Sequence, residues 1–171
     1  WGVIHNGIKL HDQAIIVLKE LSKANKNFVL LTNAPRPIKV VTTQLERMGM
    51  EKILRDHVFT SGQAALIYLK QFYKTKYFFH IGQPKDYDLF EDFKNYKLDE
   101  IDKADYILCT GLFQEHFEDL NYYKNLLEKY LNKKMICTNP DLIVDKGDKR
   151  ELCAGSVAMV FEKMGGEVVY F

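Results

Sequence analysis

An α/β fold built on a parallel sheet is predicted by three features of the sequence. Short apolar runs alternate with longer amphipathic ones, the longer runs space their apolar residues for one face of a helix, and Gly or Pro stands at most of the junctions. Parallel neighbours need a crossover, and helical runs of ~12–15 residues between strands supply it.

The elements follow in order. Residues 1–4 read as a short apolar strand closed by the turn signal Asn6-Gly7. Residues 11–25 form a helix with Ala14, Ile15, Leu18 and Leu21 on one face. Residues 28–31 are continuously apolar, the pattern of a strand covered on both faces. Thr32-Asn33-Ala34-Pro35 then opens a helix striped by Ile38, Val41, Leu45 and Met48, stopped by Gly49. After a minimal strand at Val58-Phe59, Ser61 is expected to cap a helix bearing Ala64, Ala65, Tyr68, Leu69 and Phe72. Strands at 77–81 and 106–109 end at Gly82 and Gly111, and flank a polar stretch, 83–104, without a motif. A helical stripe of Leu120, Tyr123, Leu127, Tyr130 and Leu131 precedes a strand at 135–137 that runs into Thr138-Asn139-Pro140-Asp141. The last helix carries Ala154, Val157, Phe161 and Met164, stops at Gly165-Gly166, and leads into a strand beginning at 167.

Composition narrows the function. With 171 residues the chain can build one sizeable core, or a core with a small cap. A net charge of +1 gives no reason to expect nucleic acid or an anionic membrane as partner. No apolar run approaches the ~20 residues of a membrane span, and no basic start precedes an apolar core, so a cytoplasmic location is expected. Cys109, Cys137 and Cys153 are odd in number, far apart and set in apolar surroundings, so they read as buried reduced thiols. The first and last residues both read as strand, so the sheet is expected to continue in both directions.

A parallel sheet binds ligands beyond the C-terminal ends of its strands. This singles out His5-Asn6, Thr32-Asn33, Gly82, Gly111 and Asn139 to Asp141. The Thr32 hydroxyl and Asn33 N–H, at the start of a helix whose dipole favours anions, could together hold a phosphate oxygen. Equally, Thr32 or Asn33 could simply cap the helix. His5 alone is more often a hydrogen-bonded loop histidine than a catalyst, and Asn139-Pro140 is a turn whatever the function. His80, Gln83, His116 and Arg150 read as surface.

Taken in order, Trp1-Gly2-Val3-Ile4-His5-Asn6-Gly7, Leu31-Thr32-Asn33-Ala34-Pro35-Arg36, Phe59-Thr60-Ser61-Gly62-Gln63-Ala64-Ala65, Thr138-Asn139-Pro140-Asp141, and Cys153-Ala154-Gly155-Ser156 with Glu162-Lys163-Met164-Gly165-Gly166 resemble the NagD-like branch (subfamily IIA) of the haloacid dehalogenase superfamily. The resemblance implies a Rossmann-like parallel-sheet core with an inserted α/β cap. The core would comprise residues 1–76 and 145–171, and the cap residues 77–144. It implies a magnesium-dependent phosphohydrolase of a small phosphorylated metabolite, a nucleotide or sugar phosphate, and a homodimer would fit. An aspartate attacks phosphorus to give an aspartyl-phosphate, magnesium screens the charges, and water hydrolyses the intermediate. Thr32 and Asn33 match the residues that hold the phosphoryl oxygens. Asn6, Arg36, Asn139 and Asp141 are expected along the substrate. The nucleophile would lie two residues before Trp1 and the phosphate-binding lysine just after Phe171, so these 171 residues alone are expected to be inactive.

One position departs from the family. Trp1 stands where most of these phosphatases carry the general acid/base. Its backbone carbonyl would serve as a magnesium ligand, but its indole exchanges no proton near neutral pH. Loss of a positioned acid typically costs ~100- to 10,000-fold. His5 is the nearest titratable substitute. The departure also favours an alternative, a non-catalytic member that binds a phosphorylated ligand or a protein partner. A generic doubly wound domain is the third reading; it predicts neither a cap nor a Thr-Asn pair ending the second strand.

Overall fold

The structure is a computed structural model and describes residues 2–146 and 149–171. The α/β class and the parallel pairing are as the sequence predicts. The strands, however, divide among three sheets: a parallel pair, a five-stranded parallel sheet and an antiparallel hairpin.

The first unit is thin. Helix α1 (Asp12–Lys23) precedes β1 (Leu30–Thr32), which pairs with β2 (Val58–Thr60) across α2 (Ile38–Arg47) and the single turn α3 (Lys52–Arg55). Its core is Leu18, Leu45, Met50, Leu54 and Val58, with Ile4, Leu10, Phe28 and Leu30 packed alongside. Three expectations change here. Residues 2–4 form no strand; their neighbourhood is a turn, with one isolated bridge between His5 and Leu10. The Gly2 N–H donates to the His5 carbonyl at 2.8 Å, which folds residues 2–5 back on themselves, and the Asn6 Oδ1 then accepts the N–H groups of Ile8 and Lys9, each at 3.0 Å. The run at 28–31 is covered on one face only, since Val29 and Leu31 stay 55% and 74% exposed. Helix α2 begins at Ile38, with Pro37 rather than Pro35 before its first turn.

The second unit is fully packed. Strands β3 (Phe78–Ile81), β5 (Tyr106–Cys109) and β6 (Lys134–Cys137) lie centrally, with the two-residue β4 (Lys97–Leu98) at one edge and β9 (Glu167–Tyr170) at the other. Period-2 alternation sends Ile107, Cys109, Met135 and Cys137 to one face, against α5 (Leu120–Leu127) and α6 (Ala154–Lys163). Phe78, Tyr106, Leu108 and Ile136 go to the other face. There they meet Leu69 of α4 (Ser61–Phe72) and Leu89, Phe90 and Phe93 of a 3-10 segment, Pro84–Tyr96. The polar stretch after Gly82 thus forms a covering layer.

The expected core–cap boundary lies at 144/145. It falls inside the hairpin β7 (Ile143–Lys146)–β8 (Lys149–Leu152), and both α6 and β9 belong to the layers of the five-stranded sheet. All three cysteines are free and buried, as expected. Among the described residues no helix is long and apolar enough to cross a membrane.

Candidate active site

The two units meet where β1 and β6 end. The Asn33 side-chain amide donates to Asp141 Oδ1 at 2.8 Å, joining residues 108 apart in sequence. Each partner sits on a loop that a helix N-terminus holds in place.

On the Asn33 side the holder is Thr60-Ser61-Gly62-Gln63. Thr60, not Ser61, is the N-cap of α4, accepting the Gln63 N–H at 2.9 Å while its hydroxyl donates to the Arg36 carbonyl at 2.6 Å. The Gly62 N–H donates to the Ala34 carbonyl at 3.1 Å. The Gln63 Oε1 accepts the Ile38 N–H at 3.3 Å, so that first-turn group of α2 is already satisfied and is not offered to a ligand. Gly62 is required by space, because a Cβ there would lie 2.2 Å from the Arg36 nitrogen and 2.5 Å from the Pro35 carbonyl carbon. Ser61 then ties the units together, its hydroxyl donating to the Thr138 carbonyl at 2.7 Å, with the Ala34 carbonyl 3.1 Å away.

On the Asp141 side the holder is Cys153-Ala154-Gly155-Ser156. The Gly155 N–H donates to the Asp141 carbonyl at 3.1 Å, and the Ser156 hydroxyl to the Leu142 carbonyl at 2.5 Å. A Cβ on Gly155 would lie 2.3 Å from the Pro140 oxygen. The Asn139 Oδ1 accepts the Asp141 N–H at 2.9 Å, an Asx turn that fixes the direction of the carboxylate.

Each predicted residue can now be placed. Thr32 ends β1, half-buried, and its hydroxyl accepts the Ala34 N–H at 3.3 Å. Asn33, Asn139 and Asp141 are brought together. Arg36 faces the second unit, where it pairs with Asp88 Oδ2 at 2.6 Å through Nη2 and at 3.2 Å through Nε. Asn6 is spent on its own turn. The His5 Nδ1 accepts the Gly7 N–H at 3.0 Å, and partial burial lowers its pKa below the ordinary histidine value. Trp1 lies outside the described residues. Of the four taken as surface, His80 is buried, whereas Arg150 is exposed beside Asp145. Sequence reasoning missed Thr60, Gly62, Gln63, Gly155 and Ser156 as positioning groups. Their signal is a glycine at the second position of a helix that follows an extended segment.

The profile of the haloacid dehalogenase-like hydrolases matches residues 1–95. No curated protein sequence matches the chain. Among solved structures, a haloacid dehalogenase-like hydrolase from Brucella suis 1330 is 30% identical, with a TM-score of 0.85 over 99% of this chain and 64% of that one. The p-nitrophenyl phosphatase of Archaeoglobus fulgidus is 19% identical, with a TM-score of 0.74 over 99% and 64%. The 4-nitrophenylphosphatase of Thermotoga maritima is 22% identical, with a TM-score of 0.72 over 100% and 64%. The chain thus spans 64% of the length of these three structures.

Proposed function

Because the chain belongs to the haloacid dehalogenase-like hydrolase family, we propose that it supplies the phosphoryl-binding loop and the cap of a magnesium-dependent phosphohydrolase of its NagD-like branch. The substrate is a small phosphorylated metabolite, a nucleotide or sugar phosphate, and the intermediate an aspartyl-phosphate. The observation that carries this reading is the Asn33–Asp141 contact, which sets the strand-end Thr-Asn pair against the Asn-Pro-Asp loop of the second unit. We take residues 77–171, built on the five-stranded sheet, as the cap. Neither nucleic acid nor membrane is a partner on this reading; a homodimer and a cytoplasmic location fit it.

The chemistry of these residues follows from their positions. The Thr32 hydroxyl and Asn33 N–H hold phosphoryl oxygens. The leaving group lies toward Asp141 and Asn139. The described residues contain no group of three or more His, Cys, Asp or Glu that could hold a metal, so they do not compose a magnesium site by themselves. The expected ligand from this chain is the Trp1 carbonyl. His5, its pKa lowered chiefly by partial burial, is the side chain proposed for the acid/base role that Trp1 cannot fill.

A phosphatase assay of the intact protein with magnesium and a metabolite panel tests the proposal. Turnover is expected, with kcat/KM falling about 100-fold in Thr32→Val through loss of one oxyanion donor. Absence of turnover on every phosphorylated compound overturns it, and ligand-induced stabilisation in that case supports the non-catalytic reading that Trp1 suggests. If His5→Ala leaves kcat and the pH–rate profile unchanged, His5 has no catalytic role.

A further inference from the structure

The five-stranded unit buries a polar constellation that the phosphoryl site does not use. At the C-terminal ends of β3 and β5, His80, Thr110 and Asp86 are only 4%, 3% and 2% exposed. The Thr110 hydroxyl donates to Asp86 Oδ2 at 3.1 Å, and His80 Nε2 lies 2.8 Å from the same hydroxyl oxygen. A hydroxyl has one proton. As that proton goes to Asp86, His80 donates from Nε2, and its Nδ1 is left as a bare acceptor with no hydrogen bond among the described residues. Burial keeps the ring neutral, its pKa lowered to about 3. Among the described residues Nδ1 is not one of the buried atoms left without a partner, so it is reachable from solvent.

His80 lines a cavity of about 360 Å³. Strand β4 pairs with β3 only as far as Phe79–Leu98, so the last two residues of β3 have no neighbour on that side. The walls are aromatic: Phe79 and Phe113, in edge contact with centroids 6.3 Å apart, and Tyr87. The remaining chemistry is of both signs, with Lys97 and the two carboxylates Asp99 and Glu115 lining the same space. Lys97 is paired with Asp99 at 2.6 Å, but the Asp99 side chain is 93% exposed. Such a pair contributes little and yields to a better-placed anion.

We propose that this cavity binds a small free amino acid with an apolar or aromatic side chain. The carboxylate pairs with Lys97, the ammonium group donates to Glu115 and to His80 Nδ1, and the side chain lies among Phe79, Tyr87 and Phe113. The size is at the lower end of small-molecule sites, as such a ligand requires. The inference does not depend on the phosphatase reading.

Calorimetric titration of the intact protein tests it, with L-phenylalanine and L-leucine as probes and phenylacetate and phenethylamine as analogues that each lack one charge. The amino acids are expected to bind saturably at one site, and each analogue about tenfold or more weakly, the loss of one charged hydrogen bond. Lys97→Met weakens L-phenylalanine and phenylacetate but not phenethylamine; Glu115→Gln does the converse. The ¹⁵N resonance of His80 Nδ1 moves on saturation. No saturable heat up to roughly 10 mM, unchanged affinity in Lys97→Met, or an unmoved Nδ1 resonance overturns the proposal.

Discussion

The loops at 34–38 and 140–142 are held by the same device in unlike surroundings. In each case a helix follows an extended segment, a glycine stands at its second position, and the backbone of the loop lies against that glycine with no space for a Cβ. Around Gly155 the helix is solid core: Ala154, Val157, Ala158 and Phe161 are fully buried. Around Gly62 the helix is less deeply set, with only Ala65 and Leu69 of α4 buried besides the glycine, and β1 leaves Leu31 in solvent. The contrast is one of helices, not of loops, since Pro140 and Leu142 are themselves exposed: the Asp141 loop rests on a helix set in core, whereas the Asn33 loop rests on a less deeply buried helix and on the hydrogen bonds from Thr60, Ser61, Gly62 and Gln63.

The sharpest way to break this comparison is to fill both spaces. Gly155→Ala is expected to cost about 3 kcal/mol, because α6 is set in core and cannot retreat. Gly62→Ala is expected to cost about 2 kcal/mol, with the less deeply buried α4 shifting instead. Equal losses in urea denaturation would show that the two surroundings do not differ. Acid should strike the packed unit. His80 has a folded pKa of about 3 against an ordinary value near 6.5, so the unfolded chain takes up its proton first. Stability is full above the ordinary value and is lost as pH falls below it, by roughly 2 kcal/mol between pH 7 and pH 5. Asp86, its pKa raised by burial, has the opposite sign and trims that loss. His80→Gln should remove most of the difference between denaturation midpoints at the two pH values. Thr60→Ala, which deletes the cap and the Arg36 carbonyl contact, is expected to cost about 1 kcal/mol. At the small end, Lys70→Ala should leave the midpoint unchanged, because its pair with Asp92 is an exposed one.

Much of this architecture was legible from residue pattern. The strand at 106–109 is placed to the residue, and those at 78–81 and 134–137 within one, because each is an apolar run bounded by a polar or glycine stop. Which strands share a sheet was not legible, since periodicity marks a strand but not its neighbour. The hairpin at 143–152 was missed for a different reason. Its strands carry Asp145, Lys149, Arg150 and Glu151, and lack the alternation that marks a half-buried strand. The start of α2 was set by a tertiary bond from Gln63, 25 residues away, which local helix signals do not contain. Thr60 and Ser61 are equally good caps by type, and only the geometry chooses. At the site, Thr32, Asn33 and Asp141 could be nominated as strand-end residues, but their meeting across the two units could not.

One consequence of the Gly155 contact concerns which side yields when a molecule enters between Asn33 and Asp141. The carbonyl groups of Pro140 and Asp141 rest on a helix that cannot retreat, so the acid at 141 behaves as a fixed anvil. The amide at 33 rides on a loop with solvent on one flank. An incoming guest should therefore find no give toward α6, and its fit against that backing is dictated by the fixed helix.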